Sequence, residues 1–230
     1  MATIYGGSSK AIPQRVLLMV NQTLILGFSL WVLLFGGDAV LSAHSSLALT
    51  GGHPTRRALL VAAMVVLYLR MSATVLVLVR RAIPWAEAMS IPAAFAVYYV
   101  GFTLLGAGNA APPGLLFWLG ALLFVAGSVI NTLSEILRDR WKRHPENKGK
   151  LYTGGLFRYA VHINYFGDVL WVAGFAALAG SPWGWIFPVL LFCFFKFFNA
   201  PMLDRHMAEH YGEPFEAYRS STASIIPFLW

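Results

Sequence analysis

Apolar runs of bilayer length alternate with short polar interruptions along most of this chain. The run VLLMVNQTLILGFSLWVLLFGG predicts a first helix over about 16–37. Similar runs predict helices over 57–79 and 84–105, and a fourth that begins after Pro112-Pro113 and continues past Asn131. Two more follow, over 164–179 and 183–198. A spanning helix needs about 20 apolar residues, which these runs approach or reach. Clusters of Gly, Pro, Ser and Asn (GGDAVLSAH, GAGNAAPPG, GSPWG) mark the connections. The pattern implies an all-α polytopic membrane bundle of about six transmembrane helices, six or seven in all, in a single membrane domain over 1–230.

One stretch breaks the alternation: NTLSEILRDRWKRHPENKGKLYTGGLFRYAVHINYFGD, from Asn131 to Asp168. It leaves an apolar helix through Glu135 and Arg138, crosses a basic loop (138–163), and re-enters apolar sequence. Asn131, Glu135, Asn164 and Asp168 fall on the apolar side of that loop, where a carboxylate without a partner is costly. Two acid-bearing helix ends facing a loop rich in Arg and Lys point to a large, anionic, hydrogen-bonding ligand. The plainer alternative is a membrane-surface loop with polar helix ends.

Polar residues inside other helices extend the candidate set. Asn21 and Gln22 lie in the first helix, and Tyr68 and Arg70 in the second. Arg70 sits about 15 Å of helix from the nearer end, so it needs an anion, a structural ion pair or a water-filled cavity. Glu87, near the start of the third helix, is a candidate partner, the alternative being a place at the membrane interface. Tyr98, Tyr99, Trp183, Trp185 and Trp230 read as interfacial aromatics. The tail (199–230) carries a short helix over 204–211, with Leu203, Met207 and His210 on one side, and is expected to fold back beneath the bundle.

Composition narrows the function classes. The chain is 58% hydrophobic and 12% charged, about half the charged share of a soluble domain. A net charge of +7 would suit nucleic acid, but the excess follows membrane topology. With the N-terminus in the cytoplasm, fourteen of the seventeen Lys and Arg fall on that side. Arg56 and Arg57 fall opposite, and Arg70 lies within a helix. Both termini and the basic loop are therefore expected in the cytoplasm, with no nucleic-acid partner. The polar start MATIYGGSSKAIPQR shows no cleavable signal pattern. A lone Cys193 excludes an intrachain disulfide. The six histidines lack metal-ligand spacing, and no Ser/His/Asp order suggests nucleophilic catalysis.

The segment GGLFRYAVHINYFGD resembles the C-terminal signature of the steroid 5α-reductases and their bacterial relatives, shared more distantly by sterol C14- and C7-reductases. The ending EAYRSSTASIIPFLW and the helix ALLFVAGSVINTLSEILRDRWKR resemble the same family, over roughly the last hundred residues. That resemblance implies an NADPH-dependent reductase of a carbon–carbon double bond in a lipophilic enone, a 3-oxo-Δ4 steroid or related lipid, drawn from the bilayer. Residues 1–110 would form the substrate side and 111–230 the cofactor half. It implies cofactor binding by Asn131, Glu135, Arg138, Lys142, Arg143, Lys150, His162, Asn164, Tyr165 and Asp168. Lys196, Arg205, His206 and Tyr211 are further candidates from the tail, and Arg70 from the second helix. No Gly-rich fingerprint accompanies them. Tyr68, Gln22 and Asn21 stand nearest the family's carbonyl-polarising Tyr and Gln-Glu pair, with no Glu in the first helix. The signature departs from Arg-His-Pro, reading Val161-His162-Ile163, and the extra N-terminal helix of seven-helix members is not expected. The chain is expected to act as a monomer among membrane lipids. Isoprenylcysteine and phospholipid methyltransferases, which use S-adenosylmethionine, carry a similar signature and form the rival reading. A non-catalytic protein that retains the pocket is a third.

Overall fold

A computed structural model describes residues 12–79 and 81–229. Readings made on Lys10, Arg80 and Trp230 lie outside them. The described residues are helical and contain no strand: α1 Ile12–Leu34, α2 Gly37–His44, α3 Pro54–Ala73, α4 Trp85–Gly106, α5 Leu115–Lys142, α6 Ile163–Ala179, α7 Ile186–Phe194, α8 Ala200–Tyr211 and α9 Glu213–Ser221. Five segments are long and apolar enough to cross a membrane: Ile12–Leu34, Pro54–Leu78, Trp85–Gly106, Leu115–Lys142 and Pro182–Tyr211. The fifth expected span, α6, forms but is only 17 residues long, about 25 Å against an apolar layer of about 30 Å.

Differences from the sequence reading have local causes. α5 runs on to Lys142, so the polar loop opens later than 138. Its last turns are amphipathic and continue the i,i+4 pattern into the polar region. α3 and α7 do not stop at their apolar ends but pass into π turns, Thr74–Leu78 and Phe195–Asn199. The second turn joins α7 to α8 without a break, where hydropathy alone ends the helix near 198.

The chain divides into two compact units. The first holds residues 12–121 and 175–184. Here α1 buries Leu18, Gln22, Leu26, Ser29 and Leu33, one face at three- and four-residue spacing, and packs on α3 and α4. Arg15 closes the near end by donating to the Val75, Val79 and Arg81 carbonyls that the π turn frees. At the far end, Arg57 donates to Asp38 at 2.6 Å and to the Leu33, Leu49 and Ala107 carbonyls. Burial by itself would raise the Asp38 carboxyl; the Arg57 guanidinium and the Ala39 amide outweigh it and hold Asp38 below its ordinary value. Arg56, buried over the Phe117 ring, donates to the Leu178 and Ala111 carbonyls. Tyr99, expected at an interface, is instead wholly buried, its hydroxyl on the Met64 carbonyl at 3.4 Å.

The second unit holds residues 122–174 and 185–229. Its organising contact is backbone on backbone. A methyl placed on Gly127 of α5 would lie 2.4 Å from the Trp171 nitrogen, and one on Gly167 of α6 would lie 2.7 Å from the Asn131 nitrogen. Only glycine at both positions lets the helices touch this closely, a common solution where apolar solvent gives no drive to associate. On α5, Leu122, Val125, Val129 and Leu133 remain exposed at helical spacing, as a lipid-facing stripe requires. The tail returns to this unit: Val161 and His162 donate backbone hydrogen bonds to the Ala223 and Ser224 carbonyls, each at 2.9 Å. Ile225 is buried with Phe195 and Ala200.

Candidate functional site

The glycine crossing places the polar residues of α5 and α6 face to face. Asn131 Nδ2 donates to Asp168 Oδ1 at 2.8 Å and to the Asn164 carbonyl at 3.2 Å. The same carboxylate oxygen accepts from Trp171 Nε1 at 2.8 Å. One turn along, Asn164 Nδ2 donates to Glu135 Oε1 at 3.1 Å, and Arg138 pairs with Glu135 Oε2. The Arg138 guanidinium lies over the Phe157 ring, 5.4 Å from its centre, within the reach of about 6 Å of a cation–π contact. Two acids, two amides, one guanidinium and one indole thus form a continuous, half-buried network on two apolar helices, in which each polar group finds a partner.

Aromatic stacking extends the cluster. The His162 ring lies parallel to Tyr165 at 5.1 Å, and Tyr165 parallel to Phe195 at 4.2 Å. Tyr165 Oη accepts from Asn199 Nδ2 at 2.9 Å. His162, almost fully buried, bonds Asp204 Oδ1 through Nε2 at 2.8 Å. Above it, Tyr218 donates to the Phe157 carbonyl at 2.5 Å, and burial pushes its phenol well above the ordinary tyrosine value.

The remaining cations of the sequence reading divide. Arg143 is exposed and paired with Asp139 at 2.5 Å, and Lys142 and Lys150 are exposed. Lys196 and Arg205 line a cavity of about 910 Å³ with Asp204, Arg219 and the tail residues 220–224. His206 and Tyr211 flank His210 instead: His206 stacks on it at 6.3 Å and Tyr211 meets it edge-on at 4.6 Å.

In the first unit the candidates separate by helix face. Gln22 is fully buried, and neither atom of its amide has a partner among the described residues; Ser29, two turns on, is likewise buried with an unpartnered hydroxyl. Asn21, rotated about 100° from Gln22, is only half-buried. Tyr68 lies on a third side: its hydroxyl meets Thr23 Oγ1 at 2.8 Å. Thr23 spends its own proton on the Met19 carbonyl, so Tyr68 is the donor of that pair. Thr23 also lines an apolar groove of about 480 Å³ with Met19, Val20, Leu24 and Leu76. Glu87 pairs with Arg81 at 2.7 Å rather than with Arg70. Arg81 stands six positions before Glu87, and the two meet at the start of α4.

The sequence reading gave no role to Trp171, Asn199, Asp204, Arg219, Thr23 or Ser29. Trp171 had a usable signal, since it stands three residues after Asp168 and so on the same face of α6. Asp204 had none, because its partner His162 is forty-two residues earlier.

Comparison with known proteins places this geometry. The chain is 34% identical over 115 residues to 3-oxo-5-alpha-steroid 4-dehydrogenase 1 of Bos taurus, covering 49% of this chain and 42% of that protein. It is 36% identical over 116 residues to 3-oxo-5-alpha-steroid 4-dehydrogenase 1 of Homo sapiens, covering 50% and 42%. A probable O-methyltransferase of Ustilaginoidea virens is 35% identical over 117 residues, covering 48% and 38%. The chain thus spans less than half the length of these curated relatives. The family described as "Protein of unknown function (DUF1295)" matches residues 92–222, a range that takes in the whole network from Asn131 to Asp168 as well as His162 and Asp204. That match extends over more than half of the sequence, so this chain belongs to the DUF1295 family, and its likeness to the 3-oxo-5-alpha-steroid 4-dehydrogenases agrees with the resemblance carried by its signature.

Proposed function

We propose that this chain is an integral-membrane reductase that uses NADPH to reduce a carbon–carbon double bond in a lipophilic enone, a 3-oxo-Δ4 steroid or a related lipid. The observation that carries this reading is the network of Asn131, Glu135, Asn164 and Asp168, which lies within the matched family residues. Its chemistry suits the cofactor. Carboxylate oxygens accept more than one hydrogen bond, so Asp168 and Glu135 can receive ribose hydroxyls or a carboxamide amine while keeping their present partners. Arg138, Lys196 and Arg205 supply positive charge for phosphates. Bound NADPH would supply the hydride that adds to the β-carbon of the enone. Gln22 and Tyr68 have the task of donating hydrogen bonds to the enone oxygen, where negative charge develops, Tyr68 by turning its one proton from Thr23 Oγ1 to the substrate. A neutral amide stabilises that oxygen without protonating it, which leaves Tyr68 as the more acidic donor.

The orientation follows from charge. Arg15 and Arg81 close one end of the first unit and Arg56 and Arg57 the other, consistent with the alternation read from the sequence. The end with Arg15 faces the cytoplasm in this reading, and so does the cofactor half, while substrate enters a monomer from the bilayer. One observation favours a second reading, a methyltransferase using S-adenosylmethionine: the likeness to the Ustilaginoidea virens protein. Thermal shifts of the purified protein with NADPH, NADH and S-adenosylmethionine separate the two. A cofactor at about a hundred times its dissociation constant stabilises by about 2.7 kcal/mol. Stabilisation by S-adenosylmethionine and not by NADPH would overturn the reductase. In an enone-reduction assay, Tyr68→Phe is expected to lower turnover about a hundredfold, within the range for a general acid, and to leave NADPH affinity unchanged. An unaltered rate removes Tyr68 from the chemistry.

A further inference from the structure

The apolar groove on the first unit has one wall from the outer face of α1, with Val16, Met19, Val20 and Leu24, and meets Leu76 of the π turn that ends α3. Its volume of about 480 Å³ suits a small lipophilic molecule. Only two of its lining residues are polar, Arg15 and Thr23. The terminal nitrogens of Arg15 are committed to the Val75, Val79 and Arg81 carbonyls. Thr23 is therefore the place where the groove meets a hydroxyl that can change partners.

Thr23 has one proton and two acceptors within reach of it. Its Oγ1 donates to the Met19 carbonyl and accepts the Tyr68 proton, both at 2.8 Å. A threonine bonded to the carbonyl four residues earlier is ordinary in a helix and by itself implies nothing more than structure. That carbonyl, however, does not depend on the side chain, because inside α1 it also takes the backbone N–H four residues on. A turn about the Cβ–Oγ1 bond swings the Thr23 proton to Tyr68 Oη, whose lone pairs can receive it once the phenol proton points elsewhere. Neither oxygen has to move.

A carbonyl that accepts from Tyr68 sets off this reversal. Thr23 Oγ1 then loses its incoming hydrogen bond, and the same short contact is filled by donation in the other direction. The result is a chain of two hydroxyls, Thr23 to Tyr68 to carbonyl, in which each bond polarises the next in apolar surroundings. Donation into Oη stabilises the negative charge that grows there as Tyr68 releases its proton, so Thr23 strengthens the acid without being one. Gln22 cannot take this part: it lies on the buried face of α1, and neither atom of its amide reaches Tyr68.

We propose that Thr23 is a positioning residue for Tyr68, which holds the phenol proton before substrate binds and donates to the phenol oxygen while a substrate carbonyl accepts that proton. The inference rests on the reductase reading and deepens it. Thr23 touches neither the carbonyl nor the reacting carbons, and its whole effect on the reaction passes through Tyr68.

The test uses the full chain in nanodiscs, with NADPH and progesterone as a 3-oxo-Δ4 probe, and follows the loss of enone absorbance. Thr23→Val keeps the shape of the side chain and should lower kcat about tenfold, the effect of one hydrogen bond to a developing charge, with KM changed less than about twofold. Thr23→Ser restores the hydroxyl and should bring kcat back to within about twofold of the wild type. In a Tyr68→Phe background, Thr23→Val should add nothing, because residues that act as a unit are not additive. The proposal is overturned if Thr23→Val keeps the wild-type kcat, if serine fails to rescue it, or if the two losses multiply in the double variant, the mark of a bond that only ties α1 to α3. A wild type that consumes no enone overturns the reductase reading and the role of Thr23 together, whereas turnover indifferent to Thr23 overturns only the second.

Discussion

The two units treat the polar groups within their helices in opposite ways. In the second unit, Asn131, Glu135, Asn164, Asp168 and Trp171 satisfy one another at 2.8–3.2 Å. In the first, Gln22 and Ser29 are as deeply buried as any leucine, yet their side-chain atoms have no partner among the described residues. A satisfied network adds rigidity and holds its geometry with or without a ligand. An unpartnered amide carries a desolvation cost until something supplies the missing hydrogen bonds. The contrast predicts a preformed recognition surface in the second unit and a stability deficit, relieved by ligand, in the first.

The largest expected effect attacks the crossing that builds the network. Gly127→Leu forces a side chain into the Trp171 backbone and should cost about 3 kcal/mol or more of unfolding free energy, since overpacking at a rigid contact has no cheap relief. Chemical denaturation in mixed micelles measures it, and a wild-type midpoint would show that α5 and α6 need not touch. Asp168→Ala comes next. It removes the acceptor that Asn131 Nδ2 and Trp171 Nε1 share, so stability should fall by about 2 kcal/mol and NADPH affinity at least about tenfold. Full retention of both would reduce the network to packing.

Gln22→Met reverses the sign. It keeps the length of the side chain and removes two unsatisfied atoms, so the apo protein should become more stable by about 1–2 kcal/mol while turnover of an enone falls. Loss of stability would mean that the amide is already satisfied, and the contrast between the units would collapse. The smallest effect concerns Asp38, whose pair with Arg57 shows that the first unit does satisfy its ends. Its carboxyl is held below the ordinary value, so its contribution is fully present above the unfolded value of about 3.9 and is lost as pH falls through the lower folded one. Melting temperature followed from pH 6 to pH 3 should drop less steeply in Asp38→Asn than in the wild type. Equal slopes would rule out this linkage.

The legibility of these features followed the range of the interactions behind them. Hydropathy found the spanning helices because lipid exposure acts on every residue of a span, as the stripe from Leu122 to Leu133 shows. The signature located Asn131, Glu135, Asn164 and Asp168 because carboxylates are rare in apolar sequence, although their pairing was not legible. That pairing depends on Gly127 and Gly167, which read locally as two more small residues in apolar helices. α2 escaped notice because eight residues fit inside what hydropathy treats as a loop. The same limit hid the bond between Tyr68 and Thr23, two residues forty-five positions apart with no sequence pattern between them. It also hid the pairing of Glu87, where a near cation won over a more deeply placed one.

The bonds from Val161 and His162 to Ala223 and Ser224 have a consequence in time. The acceptors are made sixty-two residues after the donors, so at roughly 5–20 residues per second the ribosome supplies them about 3–12 s later. Throughout that interval the entrance to α6 is already synthesised but its backbone partners do not exist. Insertion of the earlier spans can finish first, whereas the second unit acquires its final hydrogen bonds only when the emerging tail folds back. A stalled or shortened translation product would therefore hold inserted helices with an open edge at the start of α6, a natural target for membrane quality control.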